Sequence, residues 1–275
     1  MRTHPIQSGS LGLVTGGASG IGLGIAQALL EAGLQVIVTD VRDDHLEEAK
    51  TLLGSAGDQV HFLRLDVTDR PQWRAARRFV EERFGALHVL CLNAGVGVLG
   101  SMLEASDADW EWITSVNLDG VLAGVETFLP HMVAHGRPGH IVATSSMGGL
   151  IVANDGGVYS AAKFGVVALI EGLRRDLQGA SVGATVLCPA AVNTNIYDHE
   201  RMRPTIFQHS DAVRDDQALE AMEAFHKQLL ALGRDPVEVG RMVWNGIEAD
   251  APYVFTDRNV WPTLVSRRDA LLAFA

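Results

Sequence analysis

Residues 11–33, LGLVTGGASGIGLGIAQALLEAG, constrain the chain more than any other stretch, because an apolar strand runs into a glycine-rich turn that opens directly onto a helix. The strand LGLVTGG (11–17) has no polar face, so both its faces must be covered by other structure. The helical pattern that follows, 21–33, stops at Gly33.

The same alternation continues down the chain. LQVIVTD (34–40), QVHFLRLDVT (59–68), LHVLCLNAG (87–95), HIVATSS (140–146) and VGATVLCPA (182–190) read as further strands, and APYVFT (251–256) as a short last one. Helical spacing over about 43–57, 70–84, 106–134, 157–178 and 235–250 separates them, the last with Asp235 as N-cap and Pro236 in its first turn. The order predicts an α/β chain: a single-domain, doubly wound Rossmann fold with a parallel sheet of about seven strands and helices on both faces. A length of 275 residues suits one domain over 1–275. Within it, a polar stretch from Asn193 to about Gln217 breaks the alternation, so a substrate loop is expected at about 190–217, and a C-terminal extension at about 257–275.

Charge and composition exclude several functions. Lys and Arg number 22 against 33 Asp and Glu, for a net charge of −11, which opposes a phosphate-neutralising surface and rules against nucleic acid as a partner. No run reaches the roughly 18 apolar residues of a membrane span. The start of the chain, interrupted by Pro5, Gln7 and Ser8, lacks the apolar core of a signal peptide, so no membrane partner and a cytoplasmic location are expected. Cys91 and Cys188 lie inside apolar strands, where a thiol behaves as a small hydrophobe, and no metal site is expected.

The turn TGGASGIG (15–22) sits where main-chain N–H groups and a positive helix end can hold a pyrophosphate, and its glycines permit close approach. Asp40 ends the second strand, which in doubly wound folds places a carboxylate beside an adenosine ribose to accept from its 2′- and 3′-hydroxyls. That predicts NAD, because a 2′-phosphate would be repelled and Ser19 offers no compensating charge. Arg42 could reach such a phosphate, lie over the adenine, or point to solvent.

Tyr159 and Lys163 stand four apart at the start of a helical pattern and so share one helix face. A phenol with a pKa near 10 needs roughly 4 kcal/mol of phenolate stabilisation to titrate about three units lower. One ammonium about 4 Å away supplies roughly that at an effective dielectric near 20. A phenol so tuned can exchange a proton with a substrate oxygen.

Taken together, TGGASGIG at 15–22, Asp66-Val67, NAG at 93–95, Asn117, SS at 145–146 and YSAAK at 159–163 resemble the ordered motifs of the short-chain dehydrogenase/reductase family, over residues 10 to 195. The resemblance implies an NAD-dependent oxidoreductase with Tyr159 as acid/base, Lys163 lowering its pKa and binding nicotinamide ribose, and Ser146 orienting the substrate oxygen. It further implies that Asn117 holds a water linking the lysine to solvent. By the same resemblance Gly16, Ser19, Gly20, Ile21 and Gly22 hold the pyrophosphate side. Asp66 and Val67 contact adenine, Asn93, Ala94 and Gly95 pack along the adenosine side, and Pro189, Val192 and Thr194 stand beside the nicotinamide. The sequence departs from the family at Pro189-Ala190, where Pro-Gly is common, and in its apolar ending NVWPTLVSRRDALLAFA, which either closes the substrate pocket or makes a subunit contact.

Met147, Gly148, Gly149, Val152, Ala153, Asn154, Ile196, Tyr197 and the loop beyond Tyr197 are expected to line the substrate cavity, and most of the named residues are small or apolar. The substrate expected is a bulky hydrophobic or aromatic secondary alcohol and its ketone. Alternatives are an NADPH-dependent carbonyl reductase and a non-catalytic nucleotide-binding regulator. A homodimer or homotetramer is expected, pairing through the helices of 106–134 and 157–178.

Overall fold

The computed structural model describes residues 5–97, 100–152, 156–196, 203–207 and 216–273. Seven strands form one parallel sheet in the order β3-β2-β1-β4-β5-β6-β7: β1 Leu11–Thr15, β2 Gln35–Asp40, β3 Val60–Arg64, β4 Val89–Leu92, β5 Gly139–Thr144, β6 Val182–Cys188 and β7 Tyr253–Phe255. This is the Rossmann-type arrangement that the alternation predicts. The order reverses between β1 and β4, and a crevice opens there at the carboxyl ends of the strands.

The described α-helices are α1 (Gly20–Glu31), α2 (Asp43–Leu53), α3 (Arg70–Phe84), α4 (Asp107–Thr114), α5 (Gly120–Ala134), α6 (Gly157–Asp176), α7 (Asp216–Ala231), α8 (Pro236–Glu248) and α9 (Trp261–Leu272). Two large apolar cores lie on opposite sides of the sheet. Leu13, Leu90, Ile141 and Val186 point to one, with Trp73, Phe128 and Ile170; Val14, Val38, Cys91 and Leu187 point to the other, with Ile25, Leu29 and Val243. Neighbours such as Leu13 and Val14 thus serve different cores, which is why these strands are apolar without alternation. Cys91 and Cys188 are buried as expected, and burial pushes both thiols up to about 12.

Two expectations about the elements are corrected. The strands are shorter at their carboxyl ends than the apolar runs: β3 stops at Arg64 and β4 at Leu92, so Asp66, Val67 and 93–95 lie in loops beyond the sheet. The helical stretch 106–134 is interrupted by a π turn, Ser115–Asp119, between α4 and α5. The described part of the polar stretch holds a short 3-10 turn at Thr205–Phe207, as a long loop in a compact domain can, and its end runs into α7.

Candidate active site

A cavity of about 320 Å³ runs across the carboxyl ends of β2, β1, β4, β5 and β6. At one end lies the glycine turn. Gly16 and Gly20 have φ of +57° and +49°, a region that side chains disfavour, and a Cβ on Gly16 would stand 2.9 Å from the Ala94 Cα. Gly22 does not line the cavity. It lies beneath the turn, where a Cβ would come within 2.0 Å of the Gly16 carbonyl oxygen. Ser19 is the N-cap of α1 yet its side chain makes no capping bond, which leaves the first-turn N–H groups of a long helix directed at the cavity beside Ser19, Gly20 and Ile21.

Asp40 closes this end. It is 7% exposed and accepts from the Arg42 N–H at 3.1 Å, and burial raises its pKa above the ordinary 3.8 in spite of main-chain donors at Arg42, Ala18 and Val41. Arg42 lines the same end, with its guanidinium committed to Asp44 through both Nε and Nη2. Asp66 and Val67 form the opposite wall. Thr68 donates to the Asp66 carboxylate through both N–H and Oγ1, and Trp73 Nε1 donates to the Val67 carbonyl at 2.9 Å, so the loop is pinned to α3.

Asn93, Ala94 and Gly95 cross the middle of the cavity. Thr15 Oγ1 accepts from the N–H groups of Asn93 and Ala94, Asn93 Nδ2 donates to the Thr15 carbonyl, and Thr144 Oγ1 donates to Asn93 Oδ1 at 3.0 Å. The ends of β1, β4 and β5 are thereby tied together. The sequence reading assigned neither Thr15 nor Thr144 a part in this.

At the other end Tyr159, Lys163 and Ser146 converge. Lys163 is 2% exposed; its Nζ donates to the Thr144 carbonyl at 3.0 Å and lies 5.6 Å from the centre of the Tyr159 ring. Burial pulls its pKa down from 10.5 to about 8. The two adjacent serines differ. Ser145 Oγ–H is used on the Lys163 carbonyl at 2.8 Å, whereas Ser146 Oγ accepts from the Gly148 N–H at 3.0 Å and keeps its own hydrogen for a ligand. Pro189, Val192 and Thr194 complete this side, Thr194 meeting Gly20 across the cavity.

Asn117 is fully buried in the π turn and lines no part of the cavity. Its Oδ1 accepts from Val96 N–H at 2.8 Å and its Nδ2 donates to the Val96 carbonyl at 2.9 Å, so the amide holds the main chain next to Gly95. That fixed two-bond contact accounts for a π turn, with its extra residue, where the periodicity suggests continuous helix.

The substrate end differs from expectation. Met147 is buried in a core, a Cβ on Gly148 would touch the Tyr159 ring, and one on Gly149 would meet Ser145 Oγ and the Lys163 main chain; Val152 is exposed. Gly148 and Gly149 pack against α6, and none of the four residues lines the cavity. Ile196 does line it; Ala153, Asn154 and Tyr197 lie outside the described residues. Pro204, Ile206 and Phe207, in the loop expected beyond Tyr197, line it too, and the remaining walls are Val96, Trp112, Val116 and Leu230, which the sequence did not single out. The described part of the C-terminal extension is α9, which docks through Phe255 against Trp261 and Arg267 over Phe164 and does not reach the cavity. Among the described residues no cluster of His, Cys, Asp or Glu suits a metal, and no helix is long and apolar enough to cross a membrane.

Residues 11–204 match the family model described as short chain dehydrogenase. A protein named C alpha-dehydrogenase from Sphingobium sp. is 37% identical over 242 residues, covering 88% of this chain and 78% of its own length. The protein named 3beta-hydroxysteroid dehydrogenase 2 of Eggerthella lenta is 31% identical over 196 residues, 71% of this chain and 75% of its own. The crystal structure of a short chain dehydrogenase/reductase from Burkholderia phymatum in complex with NAD superposes with a TM-score of 0.92 at 32% identity, covering 97% of this chain and 95% of that one.

Proposed function

The chain belongs to the short-chain dehydrogenase/reductase family, oxidoreductases that use a nicotinamide cofactor, and from that premise we propose that it interconverts a bulky hydrophobic or aromatic secondary alcohol and its ketone with NAD. The observation that carries this reading is the meeting of Tyr159, buried Lys163 and the donor-ready Ser146 at one end of a cavity whose other end holds Asp40. Nicotinamide chemistry supplies the hydride exchange.

The chain's own residues move and hold the proton. In oxidation the Tyr159 phenolate takes the hydroxyl proton of the alcohol, while Ser146 Oγ–H donates to the same oxygen; in reduction Tyr159 returns that proton to the carbonyl oxygen. The Lys163 ammonium, held by the Thr144 carbonyl, favours the phenolate. Asn117 positions Val96 and Gly95 with its amide, so a relay water beside Lys163 would sit on a main-chain carbonyl of the π turn rather than on that amide.

The residues also suit the rest of the cofactor. Ionised Asp40 would accept from two ribose hydroxyls and repel a 2′-phosphate, and the Asp44 carboxylate paired with Arg42 offsets that guanidinium's charge, so this end favours NAD over NADP. Gly16, Ser19, Gly20 and Ile21 offer main-chain donors to the pyrophosphate, with Gly22 supporting the turn. Asp66 and Val67 would flank the adenine, Asn93, Ala94 and Gly95 would support the adenosine side, and Pro189, Val192 and Thr194 would border the nicotinamide, since all of them line the cavity.

An apolar wall of Val96, Trp112, Ile196, Pro204 and Phe207 favours an apolar substrate by desolvation. Relatives named for a C alpha position and for a steroid hydroxyl agree with it. The reading includes one domain over 1–275 and a homodimer or homotetramer, in which α9, away from the cavity, suits subunit contact rather than pocket closure. The test is turnover of aromatic, alicyclic and steroidal secondary alcohols with NAD and with NADP. Activity with NAD on the larger apolar alcohols is expected; turnover confined to small polyols, or a preference for NADP, contradicts the reading.

A further inference from the structure

Asp109 lies at the third position of α4, where Ser106 N–H and Oγ–H both donate to its Oδ2, at 2.9 and 2.8 Å. A capping box of this kind needs no burial, yet Asp109 is 0% exposed. A buried carboxylate is costly without a cation. Among the described residues Arg203, distant in sequence, meets it as a cation, its Nη2 donating to Asp109 Oδ1 at 2.6 Å. The same guanidinium donates through Nη1 to the Phe207 carbonyl at 3.0 Å and lies 4.5 Å over the Trp112 ring. One planar group therefore fastens a carboxylate and a ring on α4 to the main chain four residues beyond itself. A lysine, with a point charge and no fork, cannot make all three contacts.

What Arg203 fastens is the far wall of the cavity. Pro204, Ile206 and Phe207 line it, as does Trp112 opposite. Phe207 and Trp112 belong with Val96, Ile113 and Val158 to a small apolar cluster separate from the two sheet cores, and Tyr159 packs at its edge. We propose that Arg203 is a positioning residue for substrate selection: its ion pair with Asp109 holds residues 204–207 against Trp112 and thereby sets which alcohols reach Tyr159. The inference rests on the alcohol–ketone reading for the chemistry of the substrate, and on the geometry alone for the latch.

The test uses full-length Arg203→Met, Arg203→Lys and Asp109→Asn proteins, assayed with one bulky aromatic and one small secondary alcohol. NAD binding is titrated by fluorescence, and hydrogen exchange is followed across 203–207, where the Phe207 N–H donates to the Pro204 carbonyl. Arg203→Met is expected to raise KM for the bulky alcohol about tenfold, with kcat, the small alcohol and NAD affinity within about twofold. Exchange across 203–207 becomes faster, and Arg203→Lys recovers only part of both effects. A parallel fall in kcat, both substrates and NAD affinity, an unchanged ratio of bulky to small, or full rescue by lysine overturns the proposal. Should Arg203→Met fail to fold, Asp109→Asn carries the same expectations, because its amide oxygen still accepts from Ser106. Should the unmodified protein turn over no alcohol, the functional reading fails by itself and exchange decides the latch: acceleration in Arg203→Met supports it, and unchanged exchange overturns it.

Discussion

The cofactor end of the cavity is built from main chain at the ends of strands, whereas the substrate end is built from side chains carried by α4 and residues 203–207. At the first, glycines at 16, 20 and 22 let backbone approach backbone, and hydrogen bonds from Thr15, Asn93 and Thr144 fix three strand ends at once. At the second, an ion pair between Arg203 and Asp109 joins a cluster of large apolar groups. A cofactor shared by many reactions meets a rigid frame. The substrate meets the part that can vary without disturbing the sheet.

The comparison predicts that small changes at the cofactor end cost more than larger ones elsewhere. Gly22→Ala should have the greatest effect: its Cβ would overlap the Gly16 carbonyl, and chemical denaturation should show a loss of at least about 3 kcal/mol together with loss of NAD binding. Gly148→Ala, where the nearest atom is a Tyr159 ring carbon at 3.3 Å, should cost less than about 1.5 kcal/mol, and equal losses would erase the contrast. Trp112→Ala should lower stability by about 3 kcal/mol and selectively depress kcat/KM for bulky alcohols, with the NAD dissociation constant within about twofold of the parent by titration. A matching fall in NAD affinity would mean that the two ends are not separable.

Asp40→Ala should weaken NAD by about 2 kcal/mol and leave NADP unchanged or tighter, measured as paired dissociation constants. Because burial raises the Asp40 pKa, NAD affinity in the parent should begin to fall on acidification at a higher pH than an ordinary aspartate would give, and Asp40→Ala should lack that dependence. Lys163 gives the smallest and least intuitive effect. Its folded pKa of about 8 lies below the unfolded 10.5, so the unfolded chain binds more protons between those values and stability rises with pH across that window. Below about 8 the buried charge is a cost. Lys163→Met should therefore abolish turnover yet leave the cofactor-free protein at pH 7 up to about 1 kcal/mol more stable, an advantage that fades toward pH 10.5. Thermal melts at both pH values check it, and a loss of stability at pH 7 would contradict the assignment of a desolvated ammonium.

The same contrast explains what could be read from the sequence. Gly16, Gly20, Asp40, Asn93 to Gly95, Tyr159 and Lys163 are local: each follows a recognisable strand or opens a helix, so its place in the cavity follows from the alternation. The far wall is not local. Asp109 and Arg203 meet across 94 positions, and nothing in either neighbourhood announces the other. The capping pattern Ser106 to Asp109 could have marked the start of α4, and the nearby Trp110 and Trp112 its apolar face, but not which ring faces the substrate. Placing the wall at 147–149 failed for a related reason. Small residues after Ser146 suggest open space, whereas Gly148 and Gly149 are small because α6 presses on them. Likewise Asn117 lies in a π turn because its amide bonds Val96, a contact that periodicity does not encode.

The central claim is that Tyr159 exchanges the substrate proton in a site whose cofactor end stands independently of it. The most direct measurement compares parent and Tyr159→Phe in one preparation, reading NAD affinity by titration and oxidation of an aromatic secondary alcohol by formation of reduced nicotinamide. A fall in kcat of about 10³-fold with NAD affinity within about threefold is the predicted result. Turnover that survives in Tyr159→Phe, or NAD binding that disappears with the hydroxyl, would contradict the account.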